Sequence, residues 1–221
     1  MNGRIDNLLF DLDGTLTDPK EGIVNSVLYA LEKLGIKENS IDELDTFIGP
    51  PLRESFANRY CLHNNLADKA MIYYREHYSA KGLFENKIYP GAKDLLESLC
   101  SHHYKLFIAT SKPTVYAIEV LRHFKIDSYF NEITGSNLDN TRTDKTEIIS
   151  HIVSAFALQA NNSIMISDRK HDMVGAKNNS MKTIGVTYGY GSRKELLSYQ
   201  PDFIANNCYE IAALLIKEAF R

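Results

Sequence analysis

The sequence holds little cysteine: three residues, Cys61, Cys100 and Cys208, far apart and odd in number. With no C-x-x-C pair, neither a zinc cage nor a disulfide framework is expected, and free thiols in a reducing compartment are. No run of basic residues occurs and the formal charge is −3, so no nucleic-acid partner is expected. No stretch approaches the ~18 apolar residues of a membrane span. No basic start followed by a long apolar stretch marks a secretion signal. The expectation is a cytoplasmic protein with no membrane partner. The histidines lack a metal spacing such as H-x-x-x-H, and the adjacent His102 and His103 face different ways. A Gly-x-Ser-x-Gly elbow is missing, which removes the usual serine nucleophile. A G-x-x-x-x-G-K-[ST] loop is missing too, and with it the phosphate cradle of ATP-driven transfer. Repeats and low-complexity tracts are absent.

What is present is ordinary for a globular chain: 44% apolar and 24% charged residues over 221 positions. That length suits one large α/β domain, or a domain of about 150 residues with an insertion. Short apolar runs recur and stop at polar residues. Leu8-Leu9-Phe10 stops at Asp11, Leu106–Ala109 at Thr110-Ser111-Lys112, and Ile164-Met165-Ile166 at Ser167-Asp168. Thr183–Val186 leads into Thr187-Tyr188-Gly189, and Phe203-Ile204-Ala205 is a weaker fifth run. Amphipathic segments with helical spacing lie between them: Leu95/Leu96/Leu99, Val115/Ile118/Val120/Leu121/Phe124 and Ile148/Ile149/Ile152/Val153/Phe156. Alternating strands and helices predict a Rossmann-like α/β core with a parallel sheet. Its ligand is expected beyond the C-terminal strand ends.

Residues 19–85 break that rhythm. They show only helical periods, at Ile23/Val24/Val27/Leu28/Leu31/Leu34, Leu52/Phe56/Tyr60 and Met71/Ile72/Tyr78. An all-helical insertion is predicted there, within a core formed by 1–18 and 86–221. Tyr89-Pro90-Gly91 punctuates the return.

The strongest motif is Asp11-Leu12-Asp13-Gly14-Thr15-Leu16-Thr17-Asp18. It carries two carboxylates, two residues apart, just past a buried strand. One can attack phosphorus while the other handles the leaving-group proton. Alone, such a pair reads more often as a solvated acidic loop. A second acidic set, Asp168-Arg169-Lys170-His171-Asp172, ends another predicted strand. If a helix starts at once, Asp168 and Asp172 share one face of it; Asp168 also suits a helix N-cap. Carboxylates at neighbouring strand ends repel one another strongly without a cation, and Mg²⁺ accepts carboxylates, carbonyls, waters and phosphate. Thr110 and Ser111 offer a hydroxyl and amides to a phosphate, or mark a helix start before Pro113. Lys145 is a candidate balancing cation because its place at a predicted helix start opposes the dipole; Lys112 and Lys170 are the alternatives.

Together these motifs resemble the haloacid dehalogenase-like phosphatase superfamily over nearly the whole chain, with DLDGTLTD the most specific part. Ile48-Gly49-Pro50-Pro51-Leu52 and Gly185–Tyr190 look like the cap loop and last core loop of its phosphoglycolate phosphatase-like branch. The resemblance implies Asp11 as nucleophile, Asp13 as general acid/base, Thr110 and Ser111 as phosphate contacts and Lys145 as balancing cation. It implies Mg²⁺ held by Asp11, the Asp13 carbonyl and Asp168, with Asp172 in support. Gly49, Pro50 and Arg53 of the helical cap would contact the substrate. The sequence departs from the pattern at Ser167, where the family usually has Gly, and lacks a Lys-Pro pair after Lys145. The implied activity is hydrolysis of a small phosphorylated metabolite, phosphoglycolate or a nucleoside monophosphate, by a monomer or homodimer. A sugar phosphomutase and a catalytically silent binding module are the alternatives.

Overall fold

A computed structural model describes residues 4–139 and 141–216. The chain divides into two compact units, Met1–Thr17 with Ile88–Arg221, and Asp18–Lys87. The first unit opens with β1 (Asn7–Phe10). The chain leaves through β2 (Thr17–Asp18) into α1 (Lys20–Lys33), a 3-10 stretch (Ile41–Phe47), α2 (Leu52–Tyr60), α3 (Asn65–His77) and a π turn (Tyr78–Gly82). It returns through β3 (Lys87–Ile88), which pairs with β2 in a two-stranded sheet. The first unit resumes with α4 (Ala92–Ser101), β4 (Lys105–Pro113), α5 (Thr114–His123), β5 (Glu132–Ser136) and α6 (Lys145–Ala155). Then come β6 (Ser163–Ser167), α7 (Lys170–Asn178), β7 (Lys182–Val186), α8 (Arg193–Ser198), β8 (Phe203–Ala205) and α9 (Cys208–Ile216). No described helix is long and apolar enough to cross a membrane.

The six core strands are parallel in the order β5-β4-β1-β6-β7-β8. The α/β, Rossmann-like expectation with an inserted helical segment is met. The chain builds outward from β1 to β4 and β5, then crosses back to β6 on the other side. That reversal leaves a crevice at the carboxyl end of β1, where open α/β sheets bind ligands.

Register explains the apolar runs. Leu8 lies between Leu106 and Ile164, Leu9 between Phe107 and Met165, and Phe10 between Ile108 and Ile166. All nine are buried, because helices cover both faces of such a sheet. Leu9, Phe107 and Met165 share a cluster with Ile148, Ile149 and Ile152 of α6 and Ala176 of α7. Strand alternation puts Asp11 on the side of Leu9, which is the side α6 and α7 cover.

Three local expectations need correction. The sheet has six strands, not the five apolar runs, because the edge strand β5 reads Glu-Ile-Thr-Gly-Ser and carries no apolar run. Strand β4 continues past Ala109 through Thr110, Ser111 and Lys112, with an irregular register before Pro113 pairs with Ser136. Ile72, Val115 and Phe156 are exposed, although each sat in a predicted apolar stripe.

In the second unit, α1 buries Ile23, Val24, Val27, Ala30 and Leu31. Helix α3 buries Ala67, Ala70, Met71 and Tyr74. The 3.6-residue period that places Met71 and Tyr74 inward turns Ile72 outward. Phe56 meets Phe47 edge-on at 5.1 Å and Tyr74 at 6.5 Å, and Tyr74 stacks on Tyr78 at 5.2 Å. The first turn of α1 touches the π turn: a β-carbon on Gly22 would sit 1.9 Å from the Gly82 carbonyl oxygen.

Leu9→Ala should leave a cavity between Phe107 and Met165 that the flanking strands cannot close. Its expected cost is about 2–5 kcal/mol, against at most about 0.5 kcal/mol for the exposed Ile72→Ala. Denaturant unfolding of both variants measures this, and equal small losses would contradict the assigned register.

Candidate active site

Asp11 follows β1 directly. Its amide donates to the Ile166 carbonyl at 3.0 Å, extending the parallel ladder by one residue. The carboxylate is buried, and its Oδ1 accepts from the Leu12 amide at 2.7 Å and lies 3.0 Å from Lys145 Nζ. The chain then doubles back. The amides of Thr15, Leu16 and Thr17 converge on the Leu12 carbonyl, and the Gly14 amide donates to the Thr17 carbonyl at 2.8 Å. Gly14 takes φ +84°, and a β-carbon there would meet Asp168 Oδ2 at 2.4 Å. Glycine is required both by the turn and by the approach of Asp168.

Lys145 sits at the first position of α6, whose N-cap Asp144 accepts from the Thr146 and Glu147 amides at 2.8 and 3.3 Å. Ile148, Ile149 and Ile152 bury one face of that helix, and Lys145 shares the face. Its ammonium is enclosed: it donates to the Ala109 carbonyl at 2.8 Å and pairs with Asp11 and Asp172. Burial works to lower its pKa, but the Asp11 and Asp172 charges outweigh that and raise it. The lysine stays protonated despite its unfavourable place on the helix dipole. Of the alternatives, Lys112 donates to Asp13 Oδ1 at 2.5 Å, while the Lys170 amide donates to Glu195. Among the three, Lys145 is the partner of Asp11.

Asp13 is half-buried. Burial raises its carboxyl pKa, and the nearby Lys112 offsets this only in part. Asp172, in the first turn of α7, is buried against Lys145. Its carboxyl is also pushed up, by burial first. Asp168 is not on that helix: α7 begins at Lys170 with Arg169 at the cap position. The expectation of a face shared by Asp168 and Asp172 is corrected accordingly, as is the N-cap reading. Instead Asp168 Oδ2 accepts from the amides of Tyr190 at 2.7 Å and Gly191 at 3.3 Å, and Thr15 Oγ1 lies 3.5 Å from Oδ1. Its carboxyl is pushed up to about 7, first by burial and then by the Asp11 charge. Ser167, the departure from the family pattern, is buried, and its hydroxyl accepts from the Arg169 amide at 3.2 Å.

Thr110 is buried in β4, and its Oγ1 accepts from the Lys112 amide at 3.2 Å. The Ser111 carbonyl accepts from the Ser136 hydroxyl at 2.8 Å. Gly49, Pro50 and Arg53 belong to the second unit. There Gly49 takes φ +104°, and Arg53 Nε pairs with Asp68 Oδ1 at 2.9 Å. Sequence reasoning missed two contributors. One is the Lys112–Asp13 pair, which depends on how far β4 extends. The other is the hold of the Gly189-Tyr190-Gly191 turn on Asp168; its signal was a Gly-x-Gly separated from a predicted strand by only Thr187 and Tyr188.

With all four carboxylates ionised, the two lysines leave the cluster two charges short of neutrality, which is what one divalent cation supplies. Among the described residues no three acidic, histidine or cysteine side chains form a ready metal cage. Mg²⁺ does not need one, since it keeps several waters and takes one or two carboxylates. The donor set of Asp11, Asp168 and the Asp13 carbonyl fits that ion.

The family model described as haloacid dehalogenase-like hydrolase matches residues 8–186. A 5'-nucleotidase of Pseudomonas aeruginosa is 47% identical over 211 residues, covering 96% of this chain and 94% of that protein. The tyrosine-protein kinase PtkA of Mycobacterium tuberculosis is 35% identical over 184 residues, covering 83% of this chain and 62% of the kinase. A predicted phosphatase of Clostridium acetobutylicum has a solved structure that superposes with a TM-score of 0.92 at 41% identity, covering 98% of this chain and 100% of that one.

Metal-free protein should lose stability as pH rises. Between the ordinary carboxylate range and about pH 7, folded Asp168 holds a proton that the unfolded chain has released, so the slope of stability with pH is negative. The penalty is complete above about 7. In chelator, wild type should gain on the order of 1 kcal/mol between about pH 8 and about pH 6 relative to Asp168→Asn, or about 2–4 °C in thermal midpoint. Parallel pH profiles for the two proteins would refute this.

Proposed function

The chain belongs to the haloacid dehalogenase-like hydrolase family and is a phosphatase, and we propose that it hydrolyses a nucleoside monophosphate through a phosphoryl group carried on Asp11. One observation carries this reading. The Asp11 carboxylate lies buried at the switch point of the sheet, and its contacts with the Leu12 amide and Lys145 both fall on Oδ1. Oδ2 is left as the attacking oxygen.

Attack by Oδ2 forms the bond to phosphorus while the bond from phosphorus to the ester oxygen breaks. Asp13 gives its proton to that oxygen; a carboxyl whose pKa is raised is suited to this. The Asp13 carboxylate then takes a proton from water, whose oxygen attacks the same phosphorus. The bond to Asp11 breaks, and inorganic phosphate leaves. Thr110 and Ser111 contact the non-reacting phosphoryl oxygens, and Lys145, paired with Asp11, balances the added charge. Asp11, Asp168 and the Asp13 carbonyl would hold Mg²⁺, which would supply positive charge to the transferring phosphoryl group.

The nucleotide is preferred to phosphoglycolate because the 47% identical relative is named a 5'-nucleotidase over nearly its whole length. The kinase-named relative is matched over 62% of its length, and this sequence has no P-loop for ATP. Asp18–Lys87 serves as the cap, with Gly49, Pro50 and Arg53 meeting the non-reacting end of the substrate.

The test is release of inorganic phosphate from nucleoside monophosphates, phosphoglycolate and phosphorylated sugars with Mg²⁺ and in chelator. Nucleotides should lead, and chelator should abolish turnover. Phosphate passed to a sugar would favour the mutase, and no metal-dependent release at all would favour a silent module. Asp11→Asn should cut kcat by at least ~10³-fold in a folded protein; near-normal turnover would end the nucleophile assignment.

Arg53 tests the cap. It is half-exposed and paired with an equally exposed Asp68, so the pair holds it weakly. Arg53→Ala should raise KM for an anionic metabolite by roughly tenfold while changing hydrolysis of an uncharged aryl phosphate much less. Equal effects on both substrates would remove Arg53 from the substrate site.

A further inference from the structure

The loop after β7 reaches both halves of the carboxylate cluster within four residues. Tyr188 hydroxyl donates to the Thr15 carbonyl at 2.8 Å, inside the turn that follows Asp11 and Asp13. Its oxygen also lies 3.6 Å from Cys208 Sγ. With the phenol proton on Thr15, that oxygen is free to accept the thiol hydrogen. The Tyr188 ring meets Tyr89 edge-on at 5.0 Å, and the Tyr89 amide donates to the Leu16 carbonyl at 3.0 Å. Two successive carbonyls of the nucleophile turn are therefore each held by one of two touching tyrosines. One residue on, a β-carbon at Gly189 would lie 2.2 Å from the Gly14 carbonyl oxygen and 2.4 Å from Asp168 Oδ2. The next two amides, of Tyr190 and Gly191, hold Asp168 Oδ2.

We propose that Tyr188 is a positioning residue for metal-dependent phosphoryl transfer: its hydroxyl ties the Asp11–Thr17 turn to the same loop that holds Asp168, and so sets the spacing between the two. This rests on the functional reading above. Asp11 and Asp168 come from different strands, and the sheet alone leaves the residues past their ends free to shift. A hydroxyl-to-carbonyl bond across that gap removes the freedom at a point outside the reacting groups, and outer partners of this kind tune both affinity and turnover.

The experiment is Tyr188→Phe, which keeps the ring against Tyr89 and deletes the bond to Thr15. Mg²⁺ binding is measured by titration calorimetry on the intact protein, beside kcat, KM and the metal-free thermal midpoint. Mg²⁺ affinity should weaken by about tenfold or more, and kcat should fall by a similar factor. KM at saturating Mg²⁺ and the thermal midpoint should stay near wild type. Added to Asp168→Asn, the substitution should have no further effect on Mg²⁺ affinity, because the two act through one arrangement. Gly189→Ala, which forces the loop away from Gly14 and Asp168 while sparing the phenol, should weaken Mg²⁺ in the same way. A lowered thermal midpoint with unchanged Mg²⁺ affinity would make Tyr188 merely structural and overturn the proposal, as would wild-type Mg²⁺ affinity in Gly189→Ala. A wild type that neither binds Mg²⁺ nor releases phosphate overturns the functional reading and this inference together. An active wild type beside an unaltered Tyr188→Phe overturns this inference alone.

Discussion

Crowded carboxylates set the terms for this structure, and the buried ammonium of Lys145 is the contact that makes them tolerable. Asp11 and Asp172 come from a strand end and a helix start far apart in sequence, and both pair with that one group. An ammonium in such a place is costly to bury. It is held there by a helix anchored through Ile148, Ile149 and Ile152, by the Asp144 cap, and by the Ala109 carbonyl that accepts a hydrogen bond from it. Removing one partner of a buried ion pair typically costs about 3–5 kcal/mol. The site and the core behind it therefore share one set of packing contacts.

Lys145 and Lys112 do not neutralise the cluster, and the remaining charge is functionally useful. Asp168 and Asp13 stay above the ordinary carboxylate range because their charged forms are poorly solvated. A divalent ion and a phosphate change that balance when they arrive. The two carboxylates of the turn have different surroundings: Asp11 faces Lys145 inside the core, while Asp13 faces Lys112 at the edge of the turn. In the proposed mechanism two carboxyls of one type thereby take different tasks, which is the usual route to acid and base chemistry near neutrality.

The second unit carries its own core, built on Phe47, Phe56 and Tyr74 and on the close passage of α1 past the π turn. It joins the first unit through two chain crossings, and the strands there pair with one another. The carboxylates and lysines of the candidate site lie in the first unit.

Much was legible in the residues alone. Four fully apolar strand runs, the helical periods between them and the break over 19–85 follow from local solvation, because a strand covered on both faces or a helix with one buried face must show it. The Asp11, Asp13 and Asp168 set was readable because each residue ends or follows such a run. Strand β5 was not, since an edge strand pairs through its backbone and needs no apolar signature. The sequence left three lysines as candidates for one role, and only the register of β4 and the packing of α6 separated them: Lys145 reaches Asp11, and Lys112 reaches Asp13. Likewise Asp168 seemed a helix residue by spacing, yet its oxygen is held by amides of a loop some twenty residues away. Local pattern determines which residues are buried and which chemistry they can bring; which of them meet is decided by contacts distant in sequence, where burial makes a single ångström matter.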